Sequence, residues 1–88
     1  MTVVHLSKAL TGKFPEIALR ELGFEDGGNN WGNYGQKYYE KWMGGAEISI
    51  VDFNEVWICM GHKYRQLHGV GTIEDLKTLI RFYDQEGK

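Results

Sequence analysis

A Gly44-Gly45 pair inside a long strand-forming stretch constrains the fold more than any other feature of this sequence. Two adjacent glycines between apolar segments are a strong signal for a two-residue β-hairpin turn. The pair predicts one strand over about 34–43 and a second over 46–53. Asn54-Glu55 is a weaker turn signal, and a third strand is predicted over about 56–67.

Helical signals lie on both sides of these strands. Pro15 suits a first helical turn and Gly23 suits a C-terminal cap, so a short helix is predicted over 15–22. The stretch 2–10 is compatible with a helix or a short strand, and helix is favoured. Apolar residues recur at helical spacing over 73–85, which predicts a C-terminal helix. The expected fold is α+β, a three-stranded antiparallel meander with one or two N-terminal helices and a C-terminal helix.

The segment between the first helix and the sheet is predicted to be a loop. Residues 25–32 include Asp26-Gly27-Gly28-Asn29-Asn30, and these residue types tolerate positive φ angles. Trp31 is out of place in an ordinary solvated loop, because its ring is large and mostly apolar.

The length and composition indicate one folded domain over residues 1–88. Eighty-eight residues are too few for two hydrophobic cores, and 42% hydrophobic with 14% aromatic residues is enough for one. The single cysteine, Cys59, excludes an intrachain disulfide and is typical of a reducing compartment. Since neither a signal peptide nor a membrane-spanning apolar run is recognised, we expect a cytoplasmic protein without membrane partners.

Both faces of the predicted sheet are largely apolar, which is unusual for an antiparallel sheet with one face in water. With two-residue turns throughout, opposed residues place one apolar set on the first face: Tyr38, Trp42, Val51, Phe53, Val56, Ile58 and Met60. This face is richer in aliphatic side chains, so the C-terminal helix is expected to cover it. The second face is the candidate interaction surface, for a protein partner or a second copy: Tyr39, Met43, Ile48, Ile50 and Trp57. The alternative is that the N-terminal segment covers it.

Aromatic residues interleaved with basic ones suggest a second hypothesis, weak binding of single-stranded nucleic acid. Rings on a sheet can stack on bases while nearby cations contact phosphates. The net charge of −2 argues against this function, and against duplex DNA as the main partner. The candidate contacts are Trp31, Tyr34, Lys37, Tyr39, Lys41, Lys63 and Arg65.

Metal binding and catalysis receive less support from the sequence. On a regular strand Cys59 points away from His62 and His68, so no shared metal site is expected. No cofactor motif is recognised either. Glu47 and His62 would be directly opposed, which is the basis of a third hypothesis, a small enzyme using this pair; a cross-strand ion pair is the simpler interpretation. We therefore expect a non-enzymatic protein-interaction module.

Overall fold

The computed structural model describes residues 12–86, with side chains up to residue 83, and contains two helices and five strands in that part of the chain. In chain order the elements are α1 (Glu16–Glu21), β1 (Glu25–Trp31), β2 (Gln36–Met43), β3 (Ala46–Val51), β4 (Glu55–Met60), β5 (Lys63–Gln66) and α2 (Ile73–Glu86). The strands form one antiparallel sheet in the order β1-β2-β3-β4-β5.

The α+β class is confirmed, with an antiparallel sheet between an N-terminal and a C-terminal helix. The predicted number of three strands is wrong, because the sheet has five. The predicted helix over 2–10 lies outside the described residues. Neither α1 nor α2 combines the length and apolar character that a membrane-spanning helix needs.

Local sequence accounts for both helices. Pro15 precedes the first turn of α1, and Gly23, with φ at 92°, ends the helix so that Phe24 turns into the core. At the start of α2 the Thr72 hydroxyl accepts a hydrogen bond from the Asp75 N–H at 3.1 Å. This contact is half of a capping box and stabilises the first turn.

The first additional strand is the predicted loop. Strand β1 pairs with β2 through two register irregularities, between Asp26 and Gly28 and between Gly28 and Trp31. Gly27 is required here, because a Cβ atom at this position would lie 2.2 Å from a ring carbon of Tyr38. The glycine-rich sequence therefore serves close strand packing rather than a solvated loop.

The second additional strand arises because the predicted strand 56–67 is folded into a hairpin. Gly61 has φ at 69°, which ends β4 and reverses the chain. Met60 then pairs with Lys63, and β5 becomes an edge strand of the sheet.

The turn between β3 and β4 is three residues long, not two. Val51 pairs with Glu55 instead of Ile58, and Asp52 and Phe53 have positive φ angles of 56° and 59°. This left-handed backbone is retained because Phe53 enters the core, where its ring lies 5.7 Å from that of Tyr39. The register of β4 differs from the prediction by an odd number of residues, so its two faces are exchanged.

Both helices, together with Phe14 before α1, cover one face of the sheet, called here the helix-covered face. Leu19 of α1 packs there with Leu76 and Ile80 of α2. The core residues that they contact from the strands are Tyr39, Met43, Ile48, Ile50 and Val56. The opposite sheet face has no helix packed against it within the described part of the chain.

Candidate functional site

The sheet face opposite the helices, called here the open face, carries a cluster of aromatic and acidic residues. Strand alternation and pairing place a row of side chains from every strand on it. They are Glu25, Trp31, Tyr38, Glu40, Trp42, Glu47, Ser49, Val51, Glu55, Trp57, Cys59, Tyr64 and Gln66.

Trp31 lies at the centre of this face. Its ring centroid is 5.2 Å from that of Tyr38, 5.9 Å from Trp57 and 5.4 Å from Tyr64. In a flat sheet the edge strands β1 and β5 would be separated by four strand spacings, about 19 Å, which one tryptophan cannot bridge. The direct contact between Trp31 and Tyr64 therefore means that the sheet is strongly curved and that the open face is concave.

The central strand β3 is buried on this side as well. Its three residues that point to the open face, Glu47, Ser49 and Val51, are 5%, 1% and 0% exposed. The Ser49 Oγ has no hydrogen-bond partner among the described residues. A buried core normally excludes an ionisable side chain and an unpaired hydroxyl, because both lose water without replacement. Glu47, Ser49 and Val51 form the floor of the open face, beneath the aromatic rings.

Glu40 and Glu47 form a carboxyl pair on this floor. Trp42 is opposed to Glu47 and Glu40 is opposed to Ser49, so the two glutamates are diagonal neighbours across β2 and β3. Burial, a hydrogen bond with Glu40 and the negative charge of Glu40 raise the pKa of Glu47 to about 7. Because two adjacent carboxylates repel each other, the pair retains one proton up to nearly neutral pH.

Two adjoining hollows open on the concave face. Trp42, Glu47 and Tyr64 border both of them. One hollow, of about 520 Å³, has the further lining residues Asn30, Trp31, Gly32, Tyr38 and Glu40. The other, of about 490 Å³, extends to Cys59, His62 and the Gly44-Gly45 turn. Both hollows are open to solvent along one side.

The glutamates of the open face and the basic residues of the strands lie on opposite faces of the sheet. The open face has four glutamates, Glu25, Glu40, Glu47 and Glu55. No lysine or arginine of the described strands lies on it. Glu55 also accepts a hydrogen bond from the Trp57 indole N–H at 3.1 Å. The strand cations share the register of the helix-covered face: Lys37, Lys41, Lys63 and Arg65. The concave surface is therefore acidic.

The structure reverses the predicted assignment of the two faces. Four of the five candidate interaction residues lie in the core, with exposed fractions of 1%, 7%, 0% and 0% for Tyr39, Met43, Ile48 and Ile50. Trp57 alone of the five lies on the open face. With the observed register of β4, Val56 and Ile58 lie opposite Ile50 and Ile48, on the face that the helices cover.

The seven candidate nucleic-acid contacts do not share one surface. Trp31 is on the open face, and Tyr34, 93% exposed, lies in the turn between β1 and β2. The other five follow the helix-covered face, namely Lys37, Tyr39, Lys41, Lys63 and Arg65. Lys37 is moreover paired with Asp26. Of the three candidate rings, only Trp31 thus lies on the open face, while the four cations follow the opposite face of the sheet.

The predicted opposition of Glu47 and His62 is wrong. Glu47 pairs with Cys59, while His62 lies in the turn between β4 and β5. Glu47 and His62 nevertheless line the same hollow. Within residues 12–86, no cluster of three histidine, cysteine or acidic side chains has an arrangement suited to a metal ion.

Several open-face residues were not among the candidate site residues from the sequence: Tyr38, Trp42, Ser49 and Tyr64. The one local signal for this site is Trp31, an aromatic residue at the end of a glycine- and asparagine-rich segment. Its role becomes evident only when β1 is paired with β2 and the sheet curves.

Comparisons with known proteins give no further information on this site. No protein-family model matches the chain, and no curated protein or solved structure is significantly similar to it. The chemistry of the open face is therefore the basis for a functional inference.

Proposed function

We propose that this protein is a non-enzymatic interaction module that binds a protein partner on its concave open face. The observation that supports this function is the ring of aromatic side chains around two hollows. Trp42 is 70% exposed and Tyr64 is 54% exposed, although both border these hollows. Tryptophan and tyrosine dominate the energetics of protein interfaces, and an exposed aromatic patch usually marks one.

The charge of the open face favours a basic partner. Four glutamates and no strand lysine or arginine within the described residues give this surface a negative potential. A basic peptide segment is complementary to it, whereas phosphate groups are repelled. The negative charge around the aromatic rings therefore favours a basic protein ligand over the single-stranded nucleic acid that the sequence suggested as an alternative.

The same charges argue against self-association through the open face. In a two-fold symmetric dimer each copy presents the same patch to the other. The glutamates of one copy would then face those of its partner, and like charges in an interface oppose binding. We therefore place a different, basic protein on this surface.

The test is a comparison of three fluorescein-labelled peptides of equal length, built from Arg-Gly-Gly, Ser-Gly-Gly or Glu-Gly-Gly repeats, by fluorescence polarisation. We expect only the basic peptide to bind, with salt-sensitive affinity. Trp42→Ala should weaken binding at least tenfold. Phe82→Ala is the matched control, since Phe82 is 54% exposed on α2 and its ring packs against Tyr83.

Two results would contradict the proposed function. One is equal binding of all three peptides, or of none. The other is an equal loss of affinity in Trp42→Ala and Phe82→Ala, because binding would then not depend specifically on the open face. Light scattering tests self-association. If it shows a concentration-dependent dimer that Trp42→Ala converts to a monomer, the partner of the open face is a second copy of this chain and not a basic protein.

A further inference from the structure

Glu47 is a buried carboxyl group without a basic partner in the described part of the chain. It is 5% exposed and lies where the two hollows meet. The three ion pairs of the described residues are Arg20–Glu16, Lys37–Asp26 and Lys77–Glu74, and none involves the open face. Buried carboxylates in proteins are normally paired with a cation or with hydrogen-bond donors. Glu47 has instead a second carboxyl, Glu40, beside it.

We propose that the Glu40–Glu47 pair is the binding site for one arginine side chain of a basic protein partner. The guanidinium group would lie on the two carboxyls, between the rings of Tyr38, Trp42 and Tyr64. This inference rests on the proposed function, because it specifies which group of the partner the open face binds.

The arrangement suits a guanidinium better than other cations. A guanidinium has five N–H donors in a planar fork, and the lining of the hollow supplies two carboxyl groups as acceptors. Its flat faces also stack on aromatic rings, which line this site on several sides. A lysine ammonium is a compact, strongly hydrated point charge, and a trimethylammonium group cannot donate hydrogen bonds, so each uses only part of the site.

Binding of arginine replaces the proton that the carboxyl pair holds. When the guanidinium binds, the shared carboxyl proton passes to the buffer, and the arginine itself stays protonated. The pKa of Glu47, near 7, places this exchange close to neutral pH. The groups around Glu47 that titrate are Glu40 and Tyr38 on β2, Cys59 on β4, His62 in the following turn and Tyr64 on β5. None of them is a lysine or arginine that could compensate for the charge.

The experiment is a titration of the full chain with a twelve-residue peptide of four Arg-Gly-Gly repeats at several pH values. The indole N–H resonances of the three tryptophans report on binding. Release of one proton from a group with a pKa near 7 predicts about tenfold tighter binding at pH 8 than at pH 6. A peptide with citrulline in place of arginine keeps the shape without the charge, and we expect at least a tenfold loss of affinity.

Variants distinguish the contribution of the Glu40–Glu47 pair to binding from that of the open face as a whole. Glu47→Gln should bind more weakly at pH 8 and lose the pH dependence. Glu40→Gln should also weaken binding at pH 8, and it provides a second variant should the buried substitution impair folding. Trp42→Ala should weaken binding equally at all pH values and keep the pH profile. Thermal unfolding of each variant verifies that it is folded.

Different results overturn different conclusions. If the citrulline peptide binds as tightly as the arginine peptide, or if both glutamine variants keep the pH profile, the Glu40–Glu47 pair is not an arginine site. The proposed function then survives as long as Trp42→Ala still weakens binding of the basic peptide. If that peptide shifts none of the tryptophan indole resonances, both conclusions fail.

Discussion

The ring of Trp31, on the first strand, lies 5.9 Å from the ring of Trp57, on the fourth, with an angle of 57° between their planes. Two strands, β2 and β3, lie between them in the sheet. The contact therefore joins the first and the fourth strand of the curved sheet across its concave side. Ser49, opposite Trp57 on β4, and Val51, opposite Tyr38 on β2, are buried on this side although no helix of residues 12–86 packs against it. Trp31 thus links the stability of the sheet to the shape of the candidate site.

Replacing Trp31 tests this link. Trp31→Ala removes three aromatic contacts and exposes the central strand, so we expect a loss of about 2 kcal/mol in the free energy of unfolding. Trp31→Phe retains part of the contact and should lose about half as much. Urea denaturation measures both. An unchanged stability of Trp31→Ala would show that the ring does not hold the curved sheet together.

The Glu47 carboxyl should make the protein less stable as the pH rises. Its pKa is near 7 in the folded chain and near 4.5 in an unfolded one, so the folded state binds more protons between these values. Stability is therefore highest below about pH 4.5 with respect to this group, falls through the interval, and stays reduced above pH 7. Glu47→Gln removes the ionisation and should raise the free energy of unfolding at pH 8 by about 1 kcal/mol.

Urea denaturation of both proteins at pH 5 and pH 8 measures this effect. The stability difference between Glu47→Gln and the parent protein should be larger at pH 8 than at pH 5. Glu55→Gln is a control on the same face, because Glu55 bonds to the Trp57 indole and not to another carboxyl. A difference of the opposite sign would mean that Glu47 ionises easily in the folded state.

The sequence predicted the parts of the fold that depend on local signals. The Gly44-Gly45 turn has the expected register, with Met43 opposite Ala46, and both helices among the described residues were predicted from caps and apolar spacing. These features depend on residues close together in the chain. They can therefore be read without knowledge of tertiary contacts.

The site could not be predicted because it depends on pairing between distant residues. The segment 25–31 has few strand-forming residues, and its strand conformation comes from pairing with β2 and from the fit of Tyr38 over Gly27. The faces of β4 depend on the three-residue turn, which forms because Phe53 is buried in the core. One wrong turn length was enough to move Trp57 to the wrong face.

Substitution of Gly27 tests the close approach of β1 to β2. A Cβ atom at this position would lie 2.2 Å from the Tyr38 ring, which is far inside van der Waals contact. Gly27→Ala should therefore cost about 2 kcal/mol in the free energy of unfolding and displace the ring. Gly69→Ala is the matched control, since no atom lies within 4 Å of its added Cβ. Equal stability of the two variants would mean that β1 does not pack against Tyr38.

The contact between Tyr39 and Glu16 joins the sheet to α1. The Tyr39 hydroxyl donates a hydrogen bond to the Glu16 carboxylate, and the Arg20 guanidinium carbon lies 5.6 Å from the centre of the Tyr39 ring. Burial and this hydrogen bond raise the pKa of Tyr39 to about 12, and the same bond lowers the pKa of Glu16. A group with a lowered pKa stabilises the fold above its normal pKa and loses this effect as the pH falls.

Tyr39→Phe should remove the hydrogen bond while preserving the packing of the ring. We expect it to lower the free energy of unfolding at pH 7 by about 1 kcal/mol, and by less at an acidic pH below the lowered pKa of Glu16, where the protonated carboxyl no longer accepts a charge-assisted bond. Denaturation of the parent and the variant at both pH values measures the difference. In the parent protein, absorbance at alkaline pH should show one tyrosine that ionises near pH 12, and this step should be absent from Tyr39→Phe. If the step persists in the variant, another tyrosine is the buried one and α1 is not held to the sheet by this bond.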